Sequence, residues 1–227
     1  MPTLIHFPLD PFSRRIRLAL AEYGQQAELI EEQPWQPSPD LYALDPTGSL
    51  PVFIDDNRSI VCGASAIGEY LEETRGAKSS LLPGQASQRA EARRLVSWFE
   101  GRFHSEVSGP VLSEKAIRRF LPRERGGGAP DMGRVRAAIA SQRQHFDYLG
   151  QLADAGTWLA GPRLTLADLA AAAHLSVLDF LGEVPWQDYP AVKTWYQRLK
   201  SRPSFRPLLA DTVRGLAPPA HYADLDF

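Results

Sequence analysis

The sequence predicts an α/β domain followed by an all-helical domain. Three observations carry that expectation. Residues Ser49–Leu71, SLPVFIDDNRSIVCGASAIGEYL, read as a strand, a tight turn, a second strand and a helix. The first thirty or so residues give a strand, a helix and another strand. From Ala86 onward every long segment has the 3.6-residue period of a helix. A β-α-β, β-β-α order followed by helices alone is the layering of an α/β unit joined to a helical one.

Leu4-Ile5-His6-Phe7 is the first predicted strand, and Pro8 to Pro11 a turn. The helix that follows, from Ser13, places Ile16, Leu20 and Tyr23 on one face and stops at Gly24. Ala27–Glu31 is a second strand. It leads into Gln33–Pro39, where Pro34, Pro37 and Pro39 hold the chain extended and stiff. Val52-Phe53-Ile54 and Ile60-Val61-Cys62 pair through the Asp55-Asp56-Asn57 turn, and the small residues at 63–66 open a helix. The polar stretch Gly76–Gln85 marks the boundary, giving domains over 1–78 and 87–227 with a linker at 79–86.

In the second part, Ser87–Glu106 carries Leu95, Trp98, Phe99 and Phe103 at helical spacing, and Gly109-Pro110 is expected to interrupt before a helix over Val111–Phe120. Arg125–Pro130 reads as a loop. Asp131 caps a helix to about Leu152, with Ile139, Phe146 and Leu149 inward. Thr165-Leu166-Ala167-Asp168 has the capping-box pattern and opens an apolar, alanine-rich helix to Leu181. Tyr189–Lys200 and Pro203–Leu209 are the last helices. The tail ends His221-Tyr222-Ala223-Asp224-Leu225-Asp226-Phe227, and its apolar spacing predicts that it packs.

Composition narrows the function classes. The chain has 227 residues, 44% of them hydrophobic, and a formal net charge of -2, so nothing global calls for nucleic acid. No apolar run approaches the ~18 residues of a membrane span, and the opening MPTLIHFPLD reads as a strand, not a signal peptide. One cysteine, Cys62, excludes an internal disulfide and makes a reducing, cytoplasmic setting the expectation. No two of the five histidines have metal-ligand spacing, and no metal or other cofactor is expected.

Ser49–Leu71 resembles the second half of the glutathione transferase N-terminal domain, a thioredoxin-like fold. Leu50-Pro51-Val52 matches the family's cis-proline segment, and Leu164–Leu169 its folding motif, in which Thr165 and Asp168 cap the central helix. In that family the helix after the second strand opens Glu-Ser-x-Ala-Ile, and the Glu and Ser hold the γ-glutamyl end of glutathione. Here the five positions are Gly63-Ala64-Ser65-Ala66-Ile67. The packing residues Ala66 and Ile67 are kept and the ligand-binding pair is gone. Each lost charge-assisted hydrogen bond is worth about 1.5–3 kcal/mol, so two losses weaken binding ~100-fold or more.

The family activates the glutathione thiol with a hydroxyl or cysteine near the start of the first helix. The tyrosine-type position aligns with His6 and the serine- or cysteine-type position with Asp10, whose carboxylate would repel a thiolate. Ser13 reads either as a first-turn or capping serine or as a displaced hydroxyl. His6 reads as a strand histidine or as a base, and Cys62 as a structural thiol or, less simply, a reactive one. The resemblance places a vestigial glutathione pocket at His6, Asp10, Ser13, Leu50, Pro51, Gly63, Ala64 and Ser65, with no catalytic residue assigned. The alternative is a glutathione-dependent transferase or isomerase using Ser13 or His6. A non-catalytic ligand carrier is a third reading.

Phe7-Pro8-Leu9-Asp10-Pro11, Cys62–Ile67 and the terminal HYADLDF resemble a group of alphaproteobacterial glutathione-transferase-like proteins that bind FtsZ, the tubulin-like polymer of the division ring. That resemblance implies a cytoplasmic homodimer at the division site that binds FtsZ filaments and regulates constriction without glutathione. Trp98, Phe99 and Phe103 are the apolar surface expected at the dimer contact. Three filament-binding surfaces are implied. Trp35, in its proline-held loop, is the first; it reads equally as a docking residue against a dimer partner or the helical domain. Lys115, Arg118 and Arg119 are the second, in a basic run through Arg123 and Arg125 that also reads as a solvated helix face. Asp224, Asp226 and Phe227 of the tail are the third.

Overall fold

The computed structural model describes residues 1–227, the side chain of Lys78 apart. The first domain is a four-stranded mixed sheet in the order β2-β1-β3-β4. β1 (Thr3–His6) pairs parallel with β2 (Glu28–Glu31), with Leu4 beside Leu29, and antiparallel with β3 (Val52–Ile54), with Leu4 opposite Phe53. β3 pairs antiparallel with β4 (Ile60–Cys62), Phe53 opposite Val61. Leu50-Pro51 is cis, as the resemblance implies.

α1 (Pro11–Glu22) starts earlier than the periodicity suggests, because Asp10 is its cap and Pro11 its first residue. Gly24, at φ 68°, ends it in the left-handed region. α2 (Pro39–Leu44) was not expected. The prolines that argue for an extended loop include one in the helix's first turn, behind a Ser38 cap whose hydroxyl accepts from Leu41 N at 3.1 Å. α3 (Ala64–Ser79) likewise runs through residues 76–79 of the stretch read as a linker.

The helical domain holds a larger correction. Gly109-Pro110 does not break the chain's helical course. α4 (Ala86–Ser97) passes into a wide-turned π-helix (Trp98–Ser108), then α5 (Gly109–Leu112), a second wide turn (Ser113–Ile117) and a 3₁₀ turn (Arg118–Phe120). Gly109 N–H reaches back five residues to His104 O. That wider turn accommodates a proline ring that an α turn would press against the carbonyl four residues earlier. Phe99 and Phe103 are buried inside this chain, so they cannot form the dimer surface expected of them.

α6 (Met132–Ala155) is capped by Asp131 as expected. α7 (Leu166–Phe180) is the central helix, and all 15 of its residues are buried. Its capping box is formed: Asp168 Oδ2 accepts from Thr165 N at 2.9 Å, and Thr165 Oγ1 accepts from Ala167 N at 3.2 Å. Asp168 Oδ1 also accepts from Leu159 N and Trp195 Nε1, which accounts for a fully buried carboxylate without catalysis. α8 (Pro190–Lys200) and α9 (Arg206–Leu209) follow. The domains meet where α1 packs on α7. No helix among the described residues is long and apolar enough to cross a membrane.

Candidate functional site

The cleft begins at the α1 start. Asp10 Oδ2 accepts from Ser13 N at 2.7 Å and from the Ser13 hydroxyl at 2.6 Å. Ser13 is fully buried, and its one hydroxyl proton is committed to that carboxylate. It is a first-turn serine, and the capping role belongs to Asp10. Burial pushes the Asp10 carboxyl up to about 6, against the hydrogen bonds from Ser13. His6 is buried at the end of β1, with Nδ1 lacking a partner. Burial and then the Arg17 charge lower its pKa to about 4, so the ring is neutral at physiological pH. The Asp211 carboxylate acts on the ring in the opposite sense, but no hydrogen bond joins the two among the described residues.

At the α3 start, Gly63 is the cap position, at φ 81°, and no side chain caps the helix. Ala64 is buried. The exposed Ser65 donates to Glu100 Oε2 at 3.2 Å. Ile67 packs in the core, whereas Ala66, expected to pack, is exposed. Leu50 is half-buried beside the buried Pro51. Cys62 is partly buried, its Sγ 3.7 Å from Leu44 O, and burial raises its thiol pKa. A cavity of about 450 Å³ opens between the domains, walled by Phe12, Arg15, Ser65, Glu69 and Glu100.

Sequence reasoning missed the arginines of α1. Arg14, Arg15 and Arg17 are all buried. Arg14 donates from Nε to Pro8 O at 2.6 Å, and from Nη1 to Ser176 Oγ at 2.9 Å and Tyr222 OH at 3.1 Å. Arg17 clasps Asp211 through two bonds of 2.8 Å. Arg15 Nε lies 2.5 Å from Glu100 Oε1. Gly68 makes room for it, since a Cβ there would stand 2.8 Å from Arg15 Nη1. These ion pairs join β1–α1 to the helical domain. The available signal was the count of cations on a helix whose both sides are covered.

The three surfaces expected to meet a partner are placed as follows. Trp35 is half-buried and docks on the helical domain: it stacks on Phe120 and meets Phe7 edge-on. Lys115 Nζ donates to Leu181 O at 2.7 Å and pairs with Glu183. Arg118 pairs with Glu114 at 2.7 Å, and the exposed Arg119 donates to Gly215 O. Lys115 and Arg118 are thus paired with carboxylates, while Arg119, Arg123 and Arg125 are exposed and form no ion pair among the described residues. Phe227 packs against Trp186, with its ring over Lys200 Nζ at 3.9 Å, while Asp224 and Asp226 are exposed. Trp35 stacks on Phe120, the residue after Arg119, but the Trp35 and Arg119 side chains line separate cavities. Lys115 and Arg119 share a groove of about 350 Å³ with Pro218 and Pro219, the residues that lead into the tail.

Two family models match: the glutathione S-transferase N-terminal domain over residues 11–74 and its C-terminal domain over residues 134–203. The chain is 47% identical, over 99% of its length and 98% of the relative's, to FtsZ-localized protein A of Caulobacter vibrioides. It belongs to the glutathione S-transferase family. Among solved structures, a glutathione S-transferase from Sinorhizobium meliloti 1021 superposes with a TM-score of 0.96 at 52% identity, covering 100% of both chains. FzlA from C. crescentus superposes with a TM-score of 0.94 at 48% identity, covering 100% of this chain and 99% of that one. The two-domain transferase fold expected from the sequence is the fold observed.

Proposed function

We propose that this chain is a non-catalytic, homodimeric, FtsZ-filament-binding protein that acts in bacterial cell division in the cytoplasm at the division site and regulates constriction. The likeness to FtsZ-localized protein A along the whole chain supports the partner. The observation that carries the non-catalytic half is the state of the α1 start. The Ser13 hydroxyl is buried and bound to Asp10, and the family resemblance aligns Asp10 with the thiol-activating serine or cysteine. The bare start of α3 at Gly63 and Ala64 supports it further. Backbone amides there still meet a carboxylate weakly. The filament-facing surface is the belt from Trp35 through Arg119 and Lys115 to Asp224, Asp226 and Phe227.

The competing reading is a glutathione-dependent transferase or isomerase, and the 52% identity to a protein named as a transferase favours it. Calorimetry with reduced glutathione separates the two. The proposal expects no heat of binding at low millimolar ligand, and a micromolar dissociation constant contradicts it. Conjugation of glutathione to an electrophilic aryl halide above the uncatalysed rate would contradict it as well.

A further inference from the structure

β2 is an open edge. It pairs only with β1, and all four of its residues are exposed. Leu29 and Ile30 are 46% and 45% exposed, among the few large apolar side chains so placed. The backbone is aimed outward as well. Glu28 N–H donates to Pro2 O at 2.9 Å and Glu32 N–H to His6 O at 2.8 Å, both on the β1 side. Strand alternation therefore turns the N–H and C=O groups of Leu29 and Glu31 to the open side.

The edge is acidic. Glu28, Glu31 and Glu32 form no ion pair among the described residues. Burial, and then the Asp211 carboxylate, push the Glu31 carboxyl up, as for a charge with no counter-ion beside it. At the end of the strand lies a cavity of about 260 Å³, walled by Glu31, the Trp35 and Phe120 rings, and Arg214. Glu31 is the one carboxylate and Arg214 the one cation among the residues that line it.

We propose that the free edge of β2 is a docking site for an extended segment of another protein, with cationic side chains alternating with apolar ones. The segment adds as a strand whose backbone bonds Leu29 and Glu31. Side chains two apart share a face of the strand, so the segment's cations lie over the Leu29–Glu31 face and meet Glu31, while its apolar side chains cover Ile30 on the other face. A cationic side chain at its end enters the cavity beside Glu31 and the Trp35 ring. A second copy of this chain is a poor occupant. Antiparallel pairing of two such edges, with Leu29 matched to Glu31, sets Glu28 opposite Glu32 twice, and like charges facing across a ladder repel.

The test is amide hydrogen exchange on the full chain with an alternating lysine–valine peptide, and with the glutamate–valine peptide as control. The proposal expects the Leu29 and Glu31 amides to slow by about tenfold or more with the lysine peptide alone. Leu29→Pro removes one outward N–H and is compatible with an edge position. It should abolish the protection with the melting temperature held, and Glu31→Lys should transfer it to the glutamate peptide. No protection, equal protection by both peptides, or unchanged binding by Leu29→Pro overturns the proposal. Protection that rises with protein concentration without peptide also overturns it, in favour of self-pairing.

Discussion

Trp35 lies nearly flat on Phe120, with ring centroids 4.3 Å apart and planes 15° apart. One residue belongs to the proline-held loop of the sheet domain and the other ends the helical run that began at Ala86. The stack therefore fastens the two domains in addition to the α1–α7 contact.

Trp35→Ala should lower stability by about 2–4 kcal/mol, since it removes a large packed ring and an aromatic pair. Trp35→Phe should recover much of that. Urea unfolding of the three proteins checks it. Unaltered stability of Trp35→Ala would mean that the stack fastens nothing.

Arg118 and Arg119 should behave differently despite being neighbours. Glu114 is 1% exposed and rests on Arg118, Arg134 and Asp131 N–H. Arg118→Ala strips one partner from a buried carboxylate and should cost about 1–3 kcal/mol. Arg119→Ala, an exposed site, should stay within about 0.5 kcal/mol. Thermal melts of the single variants decide this, and Arg119 with Lys115 is the cleaner pair for partner-binding assays. Equal melts for the two single variants would contradict the assigned role of Glu114.

Asp10 gives a pH signature. Its folded pKa, about 6, lies above the unfolded value of 3.8, so the folded state binds the proton more tightly. That contribution is present below the unfolded value and is lost as pH rises through 6. His6 runs the other way: with a folded pKa of about 4 against 6.5 unfolded, its contribution is full at neutral pH and lost as pH falls toward 4. Asp10→Asn keeps a capping side chain. Relative to wild type it should gain stability between pH 4 and 6, by on the order of 1 kcal/mol or more. Urea midpoints across that range test it, and a constant offset between the two proteins would contradict it.

The tail separates into a clasp and two free charges. Phe227 covers the fully buried Lys200, whose Nζ is 3.6 Å from Asp179. Deleting Asp224–Phe227 should therefore lower stability by about 1–3 kcal/mol. Asp224→Asn with Asp226→Asn touches exposed groups only and should leave the melt unchanged while weakening filament binding. If the double variant binds filaments as wild type does, the two aspartates leave the site.

Much of the fold was legible because local signals agreed with the global one. Thr165 and Asp168 marked the start of α7, Asp131 that of α6, and Gly24 the end of α1. The misses have physical causes. Ser38-Pro39 is a helix start, but three prolines close together outweighed it. Pro110 sits within continuous helical turns because the π register widens the helix around it, which no residue pattern announces. Arg14, Arg15 and Arg17 drew no reading from the sequence, because their carboxylate and hydroxyl partners, Asp211, Glu100, Ser176 and Tyr222, lie far along the chain. For the site, the absence of polar side chains at Gly63 and Ala64 was readable directly. The capture of the Ser13 hydroxyl by Asp10 and the pairing of Lys115 and Arg118 depend on geometry that only the folded chain supplies.

Assembly follows from the proposal. Light scattering at about 10 μM, well above a nanomolar dissociation constant, should give twice the chain mass. A clean monomer would count against the dimer.

Co-sedimentation with purified FtsZ tests the central claim most directly. With GTP-assembled filaments the chain should pellet in saturable fashion. It should remain in the supernatant with FtsZ held unassembled in GDP. Millimolar glutathione should change neither result. Absence from the filament pellet, or pelleting that requires glutathione, would contradict a filament-binding protein built on a dismantled transferase site.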